Sequence, residues 1–250
     1  MQPDLWDGAD LPWARWQRPG AVDRALQRRG ERGWFGVDEV GRGPLAGPVV
    51  ACAVWMQSRR VRRWQAFGVT DSKALDAERR AWILDRLQAD GLTFALGVCS
   101  VEEIEQLNIR GASLEAMRRA VRSLQEALGG AAEAGPGPWL LVDGKTVVPG
   151  VSGCRQTPLV GGDLRSLAVG AASIVAKQWR DGWMAEAGTR WPAYGFERHA
   201  GYGTPAHLAA LAQHGPCPIH RRGFAPVRRA LAAAASGASE SVHGETPFFD

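Results

Sequence analysis

Lysine is nearly missing from this chain. Of its 30 basic side chains only three are lysines, Lys73, Lys145 and Lys177, and the rest are arginines, as a bias toward arginine codons would produce. Each surviving lysine nevertheless stands in a dense motif, and a compact ammonium offers a point charge that an arginine fork does not reproduce. Cysteine is sparse as well. Cys52, Cys99, Cys154 and Cys217 lie far apart and make no Cys-x-x-Cys, which argues against a disulfide framework or a zinc knuckle and for free thiols in a reducing cytoplasm. No apolar run reaches eighteen residues, so no membrane span is expected. The start, MQPDLWDGADLPWARW, has no apolar segment of the kind a secretory signal needs. None of the five histidines has metalloprotease spacing. The absence of Gly-x-Ser-x-Gly and of a Walker loop removes the usual serine-hydrolase and NTPase readings.

What remains is an ordinary globular composition over 250 residues, 45% hydrophobic and 22% charged, enough for one or two domains. A net charge of +4 and a pI near 9.2 favour a polyanionic partner. The chain is organised around Gly36-Val37-Asp38-Glu39-Val40-Gly41-Arg42-Gly43-Pro44-Leu45-Ala46-Gly47-Pro48-Val49-Val50. An apolar run enters it, two adjacent carboxylates follow, and a glycine- and proline-rich turn leads to a second apolar run. Alternation along a strand sends Asp38 and Glu39 to opposite faces, so a shared ligand requires a bend that the glycines permit. The pattern also fits a plain hairpin with charges at its tip.

In chain order, residues 1 to 33 lack periodicity and read as a poorly ordered arm. Trp34–Glu39 and Val49–Met56 read as antiparallel strands, and Thr93–Cys99 as a third. A helix is expected from Asp76 to Ala89. Ser100-Val101-Glu102-Glu103 is a capping box that opens a short helix, with a longer one from Asn108 to Leu128. Trp139–Val142 reads as a strand buried on both faces, and Thr146–Pro158 as a loop. A small-residue helix follows from Ser166. Thr204-Pro205 caps another, and a last helix starts at Pro226. There is no internal repeat. The expected fold is α/β, a mixed sheet flanked by helices with a helical C-terminal portion. The expected domains are an arm over 1–33, a catalytic domain over 34–235 and a flexible tail over 236–250.

Four carboxylates stand where backbone leaves apolar runs: Asp38, Glu39, Asp143 and Asp163. Clustered acids repel unless a cation sits among them. Oxygen-only ligation suits Mg²⁺ or Mn²⁺, and two such ions can clamp an in-line phosphoryl displacement. Each aspartate taken alone also fits a turn. Gly41-Arg42-Gly43 can bring main-chain N–H groups close enough to a nucleic-acid strand to sense a ribose 2′-hydroxyl. Ser72 and Lys73 would offer a hydroxyl and an ammonium to phosphates. Lys177 would face the acids or snorkel to water.

These segments resemble the ribonuclease HII family (type 2 ribonuclease H). The resemblance rests on Gly36–Val50, Asp71-Ser72-Lys73, Leu141-Val142-Asp143-Gly144, Gly162-Asp163, Ala171–Lys177 with Arg180-Asp181, Tyr194-Gly195-Phe196, Gly201-Tyr202-Gly203-Thr204, His207, and Gly215-Pro216 through His220-Arg221 and Phe224. It implies an RNase H-like fold and a metal-dependent endonuclease that cleaves RNA in RNA–DNA hybrids. It further implies incision 5′ to single ribonucleotides in duplex DNA, leaving 3′-hydroxyl and 5′-phosphate ends, a role in ribonucleotide excision repair. The family's four-acid site falls on Asp38, Glu39, Asp143 and Asp163. Its Gly-Arg-Gly motif falls on Gly41, Arg42 and Gly43, and its junction-sensing tyrosine on Tyr202. Ala200 stands where the family usually has lysine, and Gly223 where it usually has serine. Arg42 and the short arm separate the chain from ribonuclease HIII, which usually has Gly-Lys-Gly and a long extra N-terminal domain. A monomer is expected, in the cytoplasm. Phe248-Phe249 in the tail resembles a sliding-clamp docking peptide.

Overall fold

The computed structural model describes residues 18–129 and 137–240. The 34–235 stretch, expected as one domain, belongs to two compact units. One is built from Met1–Val40, Ala51–Gly97 and Leu114–Gln178, the other from Gly41–Val50, Val98–Ser113 and Trp179–Asp250.

The frame of the first unit is a five-stranded sheet. Its strands are β1 (Gly33–Val40), β2 (Val49–Gln57), β3 (Thr93–Cys99), β4 (Trp139–Asp143) and β5 (Arg155–Leu159), in the order β3-β2-β1-β4-β5. β4 pairs parallel with β1, with Trp34 opposite Trp139 and Val37 opposite Val142. One step further along each strand stands an aspartate, Asp38 on β1 and Asp143 on β4. Because the strands are parallel, both emerge at the same end of the sheet, toward the carboxyl ends of β1 and β4. β5 continues the parallel set, with Asp143 opposite Leu159. The stretch 146–158 was expected as a loop; its last residues form β5 instead, and Pro158 is tolerated because β5 is an edge strand.

Helices α1 (Ala21–Arg28), α2 (Val61–Phe67) and α3 (Ala77–Ala89) belong to this unit, with the second part of α4 (Val101–Ala127), the short α5 (Gly162–Arg165) and the first part of α6 (Leu167–Arg190). Trp34, Val54, Met56, Trp64, Leu87, Leu141, Ala172 and Ile174 share one buried core. The small residues of α6 let it lie close on β1: a Cβ on Gly36 would come within 2.4 Å of the Ala168 carbonyl carbon. Helix α4 breaks at Asn108, at φ 56°, and the Asn108 side-chain oxygen accepts from Arg110 and Gly111 N–H at 3.0 and 3.1 Å, capping the second part. The two helices expected there are thus both present, meeting at the kink at Asn108. At its start the Ser100–Glu103 capping box is closed in both directions, at 2.8 and 3.3 Å.

The second unit contains α7 (Phe196–His199), α8 (Pro205–His214) and α9 (Ala225–Glu240), around the loop 41–48. Thr204 caps α8 as expected, accepting from the His207 N–H at 3.3 Å. Helix α9 continues past the expected tail boundary at 236 to Glu240, and Phe248-Phe249 lies outside the described residues. No helix among the described residues is long and apolar enough to cross a membrane.

The expected arm needs correction from residue 18 onward. Val22 and Leu26 of α1 are fully buried, and so is Asp23. The Asp23 carboxylate accepts from Trp34 Nε1 at 2.9 Å, from the Ser166 hydroxyl at 3.1 Å and from the Leu167 N–H at 2.7 Å. It therefore supplies the N-terminal cap of α6 from a distant part of the chain. Burial pushes this carboxyl up from its ordinary range, against the pull of those hydrogen bonds. Asp23→Ala strands buried donors on β1 and α6, and is expected to lower the unfolding free energy by about 2–3 kcal/mol in a denaturant titration.

Candidate active site

The first unit gathers the acids. Asp38 is 4% exposed at the end of the central strand, and Asp163 is 8% exposed at the start of α5. Asp143 is half-buried at the end of β4. Burial raises the Asp38 carboxyl well above its ordinary value, and the charges of Asp143, Glu39 and Asp163 raise it further, while a hydrogen bond from Ser173 works the other way. Asp143 is raised by burial against the donated N–H of Gly162, which reaches Asp143 Oδ1 at 2.7 Å. Asp163 is pushed up to about 6 by burial and by the charges of Asp143 and Asp71. Three acids from three separate segments thus sense one another. Asp71, which sequence reading passed over, adds to the same negative field.

Glu39 is half-buried, and its N–H donates to Asp38 Oδ1 at 2.7 Å. Lys73 is exposed, and although partial burial lowers its pKa, the charges of Asp38, Asp71, Asp163 and Asp143 raise it on balance. Its ammonium therefore senses the acids. Ser72 differs from expectation. Its side chain is buried and its hydroxyl is bonded to that of Ser173 at 2.9 Å, so it points inward and not toward a phosphate. Ser173 in turn touches Asp38, which makes Ser72 a support for the acid site. Lys177, half-buried, stands one helical turn beyond Ser173 on the same face of α6. As the side chains stand, no three carboxylate, imidazole or thiol groups among the described residues form a metal-holding set.

The second unit carries the glycine loop. Arg221 is fully buried, and its guanidinium donates to the carbonyls of Gly41 (2.6 Å), Pro44 (2.8 Å) and Gly47 (2.7 Å), with longer bonds to Arg42 and Pro48 at 3.2 Å. Arg180, also fully buried, donates to Ala46 and Pro48 at 3.0 Å and to Ala200 at 2.9 Å. Burial and the neighbouring Arg180 push Arg221 down to about 9, and burial pushes Arg180 down to about 10, so both stay charged at neutral pH. In a trans peptide the N–H lies opposite the C=O. With the Gly41 and Arg42 carbonyls drawn inward, the N–H groups of Arg42 and Gly43 face away from the guanidiniums. Gly41, at φ 94°, has no room for a side chain, since a Cβ would lie 2.4 Å from Arg180 Nε.

Tyr202 is 41% exposed and borders this loop: a Cβ on Gly43 would sit 3.5 Å from the Tyr202 ring. The turn before it carries strain, because Ala200 takes the left-handed conformation at φ 48°, a cost of roughly 1–2 kcal/mol for a residue with a Cβ. Its carbonyl is held by Arg180 and its N–H by the Phe196 carbonyl at 2.8 Å. Sequence reading named the loop and the tyrosine but not Arg180 or Arg221 as what shapes them. Arg221→Lys keeps the charge and loses the fork. It is expected to destabilise the protein by at least about 3 kcal/mol in chemical denaturation, because the loop carbonyls lose their donors.

The fold and most of the chain have counterparts among known proteins. The family model described as Ribonuclease HII matches residues 35–227. A ribonuclease HII of Parvibaculum lavamentivorans is 46% identical over 212 residues, covering 84% of this chain and 73% of its own length. One of Albidiferax ferrireducens is 48% identical over 198 residues, covering 78% of this chain and 87% of its own. Among solved structures, the ribonuclease H2 of Pyrococcus horikoshii superposes with a TM-score of 0.62 at 23% identity, over 80% of this chain and 98% of that one. A Bst-RNase HIII solved in complex with Mn²⁺ superposes with a TM-score of 0.65 at 20% identity, over 82% and 70%. At these identities the two superpositions speak for the fold. The family match spans the strand that carries Asp38, both later aspartates and the buried arginine that shapes the glycine loop, and the chain belongs to the ribonuclease HII family, the type 2 ribonucleases H.

Proposed function

We propose that this type 2 ribonuclease H cleaves RNA within RNA–DNA hybrids and incises duplex DNA 5′ to a single embedded ribonucleotide, leaving 3′-hydroxyl and 5′-phosphate ends. The observation that carries the reading is the gathering of Asp38, Asp143 and Asp163, all raised by burial, with the charge of Asp143 raising Asp38 and Asp163 further. Acids buried together without a balancing charge are destabilising. Lys73 is exposed and stands as a partial counterweight.

The donor set is all carboxylate oxygen, which fits a hard divalent cation, Mg²⁺ or Mn²⁺. Asp38, Glu39, Asp143 and Asp163 would hold it. When bound, a pair of such ions supplies an activated water and a stabilised leaving oxygen for an in-line displacement at phosphorus. The chain's own groups prepare the acids for this. Ser173, backed by Ser72, donates to Asp38 and favours its ionised form. The Gly162 N–H orients Asp143. Lys73 and Lys177 supply positive charge for the scissile strand's phosphates.

Specificity is proposed to lie in the second unit. The outward N–H groups of Arg42 and Gly43 would hydrogen-bond the 2′-hydroxyl of the ribonucleotide, and the Tyr202 ring would stack on the deoxyribose that follows. Base edges are not needed for this, so the enzyme would act with little regard to sequence. Docking to a sliding clamp through residues 245–250 is a further proposal. It is supported by the ribonuclease HII of Archaeoglobus fulgidus, solved in complex with PCNA, and deletion of those residues should abolish clamp binding.

Asp143→Asn is expected to reduce cleavage to background at saturating Mg²⁺ or Mn²⁺. The same change removes a charge that burial disfavours, while the amide oxygen still accepts from Gly162. Its thermal midpoint without metal should therefore equal or exceed the parent's, and near-normal turnover would remove Asp143 from the mechanism. Added Mn²⁺ should raise the parent's midpoint more than the variant's. Tyr202→Ala should lower cleavage at a lone ribonucleotide by about tenfold or more, since a stacking contact is worth about 1–3 kcal/mol. Continuous hybrid should suffer less and the melting temperature should shift by only a few degrees. Equal loss on both substrates would make Tyr202 a structural residue.

A further inference from the structure

Three histidines of the second unit surround the turn that presents Tyr202, and their hydrogen bonds fix every ring proton. His220 Nδ1 accepts from the Cys217 backbone N–H at 3.0 Å, so the proton of a neutral His220 sits on Nε2. His220 Nε2 faces His207 Nε2 at 3.0 Å and must donate to it. His207 therefore carries its proton on Nδ1, which faces the Tyr202 carbonyl at 2.9 Å. The result is a directed chain from the Cys217 N–H through two imidazoles to the main chain of Tyr202. His199 makes a second clamp, donating from Nε2 to the Tyr194 carbonyl at 2.9 Å and accepting the Gly201 N–H on Nδ1 at 3.2 Å. Its ring stacks on His207 at 4.6 Å, so the two clamps brace each other.

An extra proton finds only a weak acceptor here, the Cys217 sulfur 3.1 Å from His220 Nδ1. A proton on His207 Nε2 would meet the His220 donor, and one on His220 Nδ1 would meet the Cys217 N–H. His207 and His220 are buried, under the Phe196 ring at 5.4 and 5.6 Å. The titratable groups facing the pair are His199 on His207, and Tyr194 at 4.9 Å and the Cys217 thiol at 3.1 Å on His220. Burial and the facing His207 push His220 down to about 4, and burial lowers His207 as well. The pair is therefore uncharged throughout the neutral range.

We infer that His207 and His220 are positioning residues for substrate discrimination: their neutral, one-directional hydrogen-bond chain holds the Tyr202 main chain so that its ring meets the sugar beyond a ribonucleotide. The inference rests on Tyr202 reading that step. The sequence places these histidines 13 residues apart with no chemistry of their own, and the geometry gives them one.

The test compares kcat/KM on a duplex with one ribonucleotide against kcat/KM on a continuous hybrid, for the full chain with Mg²⁺ at pH 7.5. The ratio cancels any change in the acid site. His207→Phe fills the space but cannot donate to Tyr202, and the ratio should fall by about tenfold, as in Tyr202→Ala. His207→Asn returns a donor at the Nδ1 position and should recover most of the ratio. ¹⁵N NMR of the parent should show His207 as the Nδ1–H and His220 as the Nε2–H tautomer at pH 7.5, with His220 neutral down to pH 5; this reading stands even if a variant fails to fold. An unchanged ratio in His207→Phe, or the opposite tautomer at either ring, overturns the positioning role. If Tyr202→Ala leaves the ratio unaltered, the fault lies one level lower, in the reading of Tyr202, and the positioning role falls with it.

Discussion

The arginine fork of Arg221 is the constraint on which the glycine loop of the second unit depends. The loop 41–48 has too many glycines and prolines to form a ladder with a neighbouring strand, so its carbonyls need donors from elsewhere. Arg221 and Arg180 supply them, and the Arg221 N–H adds one more to Leu45 O at 2.8 Å. Arginine suits this task because its donors lie in one rigid plane and its charge survives burial. Drawing the Gly41 and Arg42 carbonyls to a buried cation turns the Arg42 and Gly43 N–H groups away from it, while the Leu45 and Gly47 N–H groups bond to the Gly201 and Ile219 carbonyls.

The acid half rests on the opposite balance. Helix α6 is anchored at its start by buried Asp23, packs on β1 where Gly36 has no Cβ, and then presents Ser173 to Asp38. The anchoring explains how a cluster of repelling acids keeps its shape. The cost of crowding Asp38, Asp143 and Asp163 is met by a well-packed core around Trp34, Leu141 and Ala172, none of which needs to move when the charge among the acids changes. The acids are raised for the same reason that a cation would be drawn to them: burial and like charge favour anything that neutralises the site.

Much of this was legible in the sequence, and the limits have physical causes. Strand β1 and its paired acids could be read because a buried parallel strand is apolar throughout and ends abruptly in charge. The caps at Ser100 and Thr204 could be read because capping is local. Strand β5 could not, since Arg155-Gln156-Thr157-Pro158 has neither alternation nor an apolar run and is held as an edge by β4. Helix α1 was missed because Asp23 looks like any surface acid until Ser166 and Leu167 are brought to it. Ser72 was misjudged because a hydroxyl beside a lysine resembles a phosphate contact, and only the tertiary approach of Ser173 shows it facing inward. Arg180 and Arg221 were hidden by composition: where arginine is the default basic residue, a structural one does not stand out.

The same distinction explains why the loop 41–48 and the turn before Tyr202 are held by buried polar groups at all. A side chain that recognises a ligand can adjust its rotamer, whereas a main-chain N–H is only as well placed as its loop, and glycine gives a loop the greatest freedom to lose. Discrimination of a single hydroxyl needs positions held to about half an ångström. An apolar core could exclude water beneath the loop but could not fix which way each peptide faces. Hydrogen bonds can, because each has a direction, and a buried network with every member satisfied has one low-energy arrangement. Here the cations Arg180 and Arg221 orient the carbonyls of one segment, and an uncharged histidine chain orients the other. A third buried positive charge would be repelled by the first two, so histidines that stay neutral suit the second segment better than another arginine would.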